Sequence, residues 1–537
     1  MSTVLHQWDD SELEDVDTTG FRQPQRLAVS ALGVASTQHY LATEAAVKML
    51  DAGGNAVDAA VAAAFALGVC EPAASGLGGQ TMMLIHIASS RRSFALDGSS
   101  RAPNRTSLKE LSRDQRRRGY KATTVPSTPA VLWYALERYG TLPLNDVITP
   151  AIQLAERGYQ VSELQWKLAR RVRKTLQESP ASELFLKGGI KTYKVGEKFR
   201  QPVLAKTLKR LSNAGIPDFY TGRTARLIYQ DMARNGGLIT NEDLAQIPWP
   251  IERKPVSCQF EDCRVVTFPP PGAGRTLVEM LNIISHIPKK YRNVDTPEGA
   301  LMLAQAIRQA NRDRTDRPFE PNFYAQVPQK RMLSMDYAKT VARLSLRNIR
   351  THGETTHLSV MDRFGNVVAL TQSIERVYGA CASTPELGFL YNNYMLAFED
   401  EDMTHPYYLR PNAVPWASVA PTIIFKGRKP WVAIGSPGSG RIVSSVAQVL
   451  LRLKSQLPFE AVDAPRLHCS VDGLVSLEAA RMRTDIPDVL EHHGFSVDVR
   501  DPYSFYMGSV QLVMREGDEF TGVADPRRDG SAGGPSK

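Results

Sequence analysis

Thr355-Thr356-His357, directly after the polar run His352-Gly353-Glu354, is the stretch of this chain best suited to nucleophilic chemistry. A threonine hydroxyl is a weak nucleophile near neutral pH and needs an adjacent base. A free α-amino group on the same residue can serve, because its pKa is about 7.7–8.0. That group exists only if the chain breaks immediately before Thr355. Locally, two threonines ahead of a strand are also ordinary β-formers, so the spacing leaves both readings open. His352 and His357 have no third ligand beside them, a weak metal pattern, and His357 reads as structural. The turn at 435–440 invites a phosphate-loop reading, but no Lys-Ser/Thr pair follows it. Neither a metal nor a cofactor is expected.

The cysteines add no nucleophile or zinc site. Cys70, Cys258, Cys263, Cys381 and Cys469 are odd in number and contain no CxxC pair. A disulfide framework is not expected, and a reducing compartment fits. Cys381 reads as core. The 537 residues are 42% hydrophobic, ample for a large core. The net charge of +9 arises from 65 basic and 56 acidic residues, a mild excess without the clustering that nucleic acid demands. The densest run, Arg116-Arg117-Arg118, reads as a solvated helix face. No stretch of about 18 apolar residues occurs, so no membrane span is expected. The acidic start, with Asp9, Asp10, Glu12, Glu14, Asp15 and Asp17, is unlike a signal peptide, and a cytoplasmic location is expected.

Residues 1–30 read as a polar, mobile leader. Periodicity predicts helices over 43–49 and, almost wholly apolar and therefore buried, 56–67. Asn55 is placed to cap the second. A flexible turn, Ser75-Gly76-Leu77-Gly78-Gly79, leads to a strand over 81–87. Amphipathic helices follow over 144–157, 164–176 and 221–235, then a strand over 264–267 and helices over 276–287 and 299–311. After Gly353 the pattern alternates: 356–361 and 367–371 read as antiparallel strands joined at Gly365-Asn366. A helix is predicted over 442–453. Helices dominate early and strands late, with some mixing, which suggests α and β layers around one large core.

Many segments, in order from about residue 30 to 530, resemble the γ-glutamyltranspeptidase family. Gly53-Gly54-Asn55-Ala56-Val57-Asp58-Ala59-Ala60-Val61-Ala62 resembles its first signature, and Glu71-Pro72 with 75–79 its second. Pro150-Ala151-Ile152 and Pro269-Pro270-Pro271 follow. Then come Thr355-Thr356-His357 to Asp362, Gly365-Asn366, Asn392-Asn393, Ala420-Pro421-Thr422, Gly435-Ser436-Pro437-Gly438, and Pro465-Arg466 with His468. Ala524-Asp525-Pro526-Arg527-Arg528-Asp529-Gly530 resembles the closing motif. The resemblance implies an α/β fold of four αββα layers, that of the N-terminal nucleophile hydrolases. It implies a precursor that cuts itself between Glu354 and Thr355 into a large chain, 31–354 after the leader, and a small chain, 355–537. It implies an acyl-enzyme on Thr355, with the freed amine as general base and water or an amine as acceptor. Ser373 stands where the family has a second hydroxyl that hydrogen-bonds the nucleophile. Gly438 and Ser439 match the pair whose N–H groups form the oxyanion hole; such a donor is typically worth about 3 kcal/mol.

The resemblance breaks where the family recognises the amino acid head of a γ-glutamyl group. Ser99 replaces the carboxylate-binding arginine, with Arg101 two residues away as a substitute. Tyr394 and Ala397 replace an acidic or amide residue and an aspartate, and Glu375 replaces an asparagine. Of two paired serines only Ser418 remains, beside Ala417. A buried zwitterion without partners is costly. The expected substrate is therefore a small amide or peptide with a non-standard acyl group, bound near Glu375, Arg101, Tyr394 and Ser418. Two alternatives stay open: an ordinary γ-glutamyl enzyme acting on glutathione, and a non-catalytic scaffold.

Overall fold

The computed structural model describes residues 24–246, 250–316, 334 and 354–536. Two seven-stranded antiparallel sheets form its centre. The first runs, in spatial order, Ser531–Gly533, Gly33–Thr37, Glu354–Asp362, Val367–Glu375, Gln80–Ile87, Arg92–Gly98 and Ile251–Arg253. The second runs Leu27–Ser30, Glu519–Ala524, Gln511–Glu516, Lys429–Gly435, Thr422–Lys426, Cys263–Thr267 and Val256–Phe260.

Side-chain alternation along each strand sorts the apolar residues into three cores. In Gln80–Ile87, Met82 and Leu84 join the core between the sheets, while Met83 and Ile85 join the core under the first helical layer. In Thr422–Lys426, Ile423 and Phe425 face the sheet interface and Ile424 faces the second helical layer. Strands buried on both faces must be apolar throughout, which is why these runs lack a polar alternation. Helices Tyr40–Asp51, Ala56–Cys70, Thr128–Tyr139 and Leu144–Arg157 supply the first outer core. Helices Gly274–Ser285, Pro297–Asp316 and Arg441–Arg452 supply the second. Three cores between four layers are the expected αββα architecture.

Helix Ala56–Cys70 is almost wholly buried, so its ends must be satisfied internally. Asn55 accepts from the amides of Val57 and Asp58, and Asp58 accepts in return from the Asn55 amide, a reciprocal capping box. The Ala56 amide donates to the Asp362 carboxylate (2.8 Å). That carboxylate also takes the amides of Phe364 and Asn366. One side chain thus closes the tight turn after strand Glu354–Asp362 and ties that strand to the buried helix.

Several expectations need correction. The last four residues of the expected leader, 27–30, are an edge strand. The strand expected over 81–87 is present as Gln80–Ile87, but Gly33–Thr37 and Arg92–Gly98, which were not expected, also build the first sheet. The run 116–118 is no solvated helix face. Arg116 is buried in an ion pair with Asp400, and Arg118 donates to the carbonyls of Val377 and Gly379. Those partners lie over 250 residues away, beyond the reach of a local charge pattern. The five cysteines carry free thiols. Burial pushes the Cys381 thiol up to about 11, which makes it inert as a nucleophile. No helix among the described residues is long and apolar enough to cross a membrane.

Candidate active site

Thr355 is the second residue of strand Glu354–Asp362 and is 5% exposed. The register with Val367–Glu375 shifts here. Glu354 pairs with Glu375 and Thr356 with Gln372, so Ser373 and Ile374 both lie opposite Thr355. Such a bulge bends the strand and re-aims its side chains. The Ser373 hydroxyl accepts the Glu375 amide (2.8 Å). Glu375 itself adopts a left-handed backbone, φ 76°, an uncommon state for a residue with a Cβ. The Tyr394 hydroxyl, on a buried ring, faces Ser373 and Gln80. Burial, and next the Glu375 charge, push its pKa far up, so it is a neutral phenol. Gln80 in turn accepts from Ser100, whose hydroxyl accepts from Thr124. A buried polar chain therefore backs the bulge.

His357 lies two residues on, locked between Thr371 (2.8 Å) and Ser359 (3.1 Å). Its ring packs on Gly435, where an added Cβ would collide with it. Burial lowers its pKa to about 3. It is a neutral structural group, as the sequence suggests. Its folded pKa lies below the ordinary 6.5, so below about pH 6.5 the unfolded chain takes up a proton that the native ring refuses. Stability falls as pH drops from about 6.5 toward 3, and His39, His86 and His468 are shifted the same way. Urea midpoints that stay flat across this range would contradict the burial of these rings.

Strand Lys429–Gly435 leads from that contact into the turn 435–440. Gly438 has φ 116° and Ser439 φ 55°, which twist the backbone before helix Arg441–Arg452 begins. Among the described residues, the N–H groups of Gly438 and Ser439 have no acceptor. Buried amides without a partner are uncommon. A pair of them on adjacent residues is suited to receive an anionic oxygen.

The expected substrate residues are spread along a second set of contacts. The Arg101 guanidinium donates to the Asn412 carbonyl (3.1 Å), and the Ala102 amide to Ala413. Trp416 donates its amide to Ala397, the last residue of the short helical turn Tyr394–Ala397. Ser418 accepts from Arg314, which also donates to the Ala417 carbonyl (2.8 Å) and lies over the Trp416 ring. Residues 412–418 thus touch Arg101 and the end of the Tyr394–Ala397 turn and carry Ser418, while among the described residues no hydrogen bond or ion pair joins Arg101 or Ser418 to Thr355. Burial lowers the Arg314 pKa to about 10, which leaves it cationic. Ser99 folds back on Asp97, which Arg253 pairs at 2.6 Å. A separate cleft of about 440 Å³, lined by Asp463, Arg481 and Met482 among others, involves none of these residues.

Three groups were not singled out from the sequence. Arg314 lies beyond the predicted end of its helix at 311. Arg528 and Glu71 stood inside quoted motifs, with nothing local to mark them. Arg528 donates to the Thr355 carbonyl (3.3 Å), pairs with Glu71 (3.8 Å) and lies over the Phe505 ring.

The four-layer αββα sandwich is the fold of the N-terminal nucleophile hydrolases. The match to the Gamma-glutamyltranspeptidase family model spans residues 42–534, and the chain belongs to that family. It is 31% identical to a glutathione hydrolase proenzyme of Bacillus subtilis (strain 168), over 93% of this chain and 91% of that protein. It is 32% identical to the acylase ACY 1 proenzyme of Pseudomonas sp. (strain V22), over 95% of each. A crystal structure of cephalosporin acylase from Bacillus halodurans superimposes with a TM-score of 0.87 at 26% identity, covering 98% of this chain and 99% of that one. The protein is therefore an enzyme of the amidohydrolase and acyltransferase class.

Proposed function

We propose that the chain cleaves itself between Glu354 and Thr355 and then transfers or hydrolyses an acyl group through Thr355. Residues 1–354 and 355–537 become the large and small chains of one catalytic unit. The freed Thr355 amine takes the hydroxyl proton as Oγ attacks the amide carbonyl. Ser373, opposite Thr355 across the bulge, orients that hydroxyl. The observation that carries this reading is the pair of N–H groups on Gly438 and Ser439 without acceptors, donors suited to the tetrahedral oxyanion.

The acyl donor in this reading lacks the free amino acid head. Tyr394 puts a neutral phenol, already turned toward Ser373 and Gln80, where an ammonium would need an anion. Ala397 offers no carboxylate either. Arg101, Arg314 and Ser418 favour an acyl chain ending in a carboxylate or another acceptor. Glutaryl-p-nitroanilide differs from γ-glutamyl-p-nitroanilide only by lacking the ammonium. Its kcat/KM is expected to be higher by at least tenfold, the factor that about 1.4 kcal/mol of uncompensated desolvation carries. Equal rates, or preference for the γ-glutamyl compound, would return the enzyme to the reading suggested by its glutathione hydrolase relatives. A chain that stays whole and inactive would favour a scaffold.

A further inference from the structure

We infer that Arg528 is a positioning residue that also tunes the general base, holding the freed Thr355 amine in its unprotonated form at neutral pH. This rests on the function proposed above. The Arg528 guanidinium sits 3.3 Å from the Thr355 carbonyl oxygen. The amine nitrogen is three bonds from that oxygen, so the cation lies within roughly 7 Å of it by covalent geometry. The Arg528 side chain is 2% exposed, so water screens this field little. A nearby cation disfavours protonation of an amine. The base that accepts the Thr355 hydroxyl proton must be neutral before attack, and Arg528 extends that state to lower pH.

The surrounding charges set the balance. Glu71, at the C-cap of helix Ala56–Cys70, is 3.8 Å from Arg528 and opposes it. Asp529 couples to Arg528 and Arg26, but burial raises its pKa and Ser162 holds its carboxyl. The Cys70 thiol beside Glu71 is pushed well up by burial and stays neutral. Tyr394 is likewise neutral. Glu375 lies on the paired strand next to Arg376, whose charge offsets its own. Arg527 turns away, to Asp525 and Glu478. Arg528 and Glu71 are thus an opposed pair, and their removal has opposite signs.

The test is the acid limb of kcat/KM against pH, which reports the base of the free enzyme. It is measured on processed wild type, Arg528→Lys, Arg528→Gln and Glu71→Gln. Arg528→Gln should move the limb up by about one pH unit. Arg528→Lys should leave it near the wild-type value, and Glu71→Gln should move it down. A limb unmoved in Arg528→Gln, with only kcat reduced, would overturn the inference and leave a purely structural arginine. If Arg528→Gln does not process, Glu71→Gln decides alone, and a limb that stays put or rises refutes the idea. A wild type without amidase activity, or activity retained in Thr355→Ala, sinks the proposed function and this inference together.

Discussion

Thr355→Ala is expected to run as one band near 59.4 kDa, the mass of the whole chain. The wild type should give bands of about 39 and 20 kDa, the same mass divided in proportion at residue 354. The variant's amidase activity should fall by at least about 10³-fold, since losing a covalent nucleophile removes the acyl-enzyme path altogether. The fold should survive: Thr355 lies at the start of its strand, and its carbonyl contact with Arg528 does not depend on the side chain. Thr355→Ser keeps a hydroxyl and should cleave and turn over, more slowly. N-terminal sequencing of the smaller wild-type band should read Thr-Thr-His-Leu. Cleavage elsewhere would reject the assignment, and so would a Thr355→Ala protein that still cuts or still hydrolyses amides.

What the sequence revealed follows the range over which each signal acts. Helix Leu144–Arg157 was legible to the residue because its apolar stripe is local. The hairpin through Gly365-Asn366 was legible because turn chemistry and strand alternation sit side by side. Its strands proved longer than predicted, since the bulge at Thr355 carries the pairing on to Glu375. Strands such as Thr422–Lys426 and Gln511–Glu516 escaped, because burial on both faces removes the period-2 signal. At the site, Thr355, Ser373 and Gly438 came from the family's motifs rather than from local physics. The Gly438–Ser439 donors depend on backbone angles that no residue type announces. Arg528 meets Thr355 across 173 residues of chain, and Glu71 meets Arg528 from near the other end of the chain, so nothing in their own neighbourhoods could mark them.

Arg527→Met should lower stability by about 3–5 kcal/mol, the usual cost of breaking a buried ion pair from one side. Arg527 and Glu478 meet at 2.5 Å, both fully buried. Asp525 takes Arg527 at 3.1 Å and Arg466 at 2.5 Å, as well as the amides of Val510 and Arg527. Burial works against the Asp525 carboxylate, yet Arg466 and Arg527 still hold its pKa below the usual range. Methionine fills much of the arginine's volume but leaves Glu478 and Asp525 with one cation fewer in a site closed to water. The expected readout is a lower urea midpoint for the unprocessed chain, measured in a Thr355→Ala background so that processing does not confuse it. Adding Glu478→Gln to Arg527→Met should recover part of the loss, because a buried charge without its partner costs more than a neutral amide. The exposed pair Arg483–Asp485 is the control, and Arg483→Met should leave the midpoint unchanged. The same network anchors the neighbouring Arg528 and, through carbonyls of Asp525, Arg528 and Gly530, the incoming Arg26. In a chain able to process, Arg527→Met should therefore also slow cleavage. A midpoint equal to that of the parent would mean that the ion pairs contribute no more than packed hydrocarbon would, and that the closing motif acts on Thr355 through Arg528 alone.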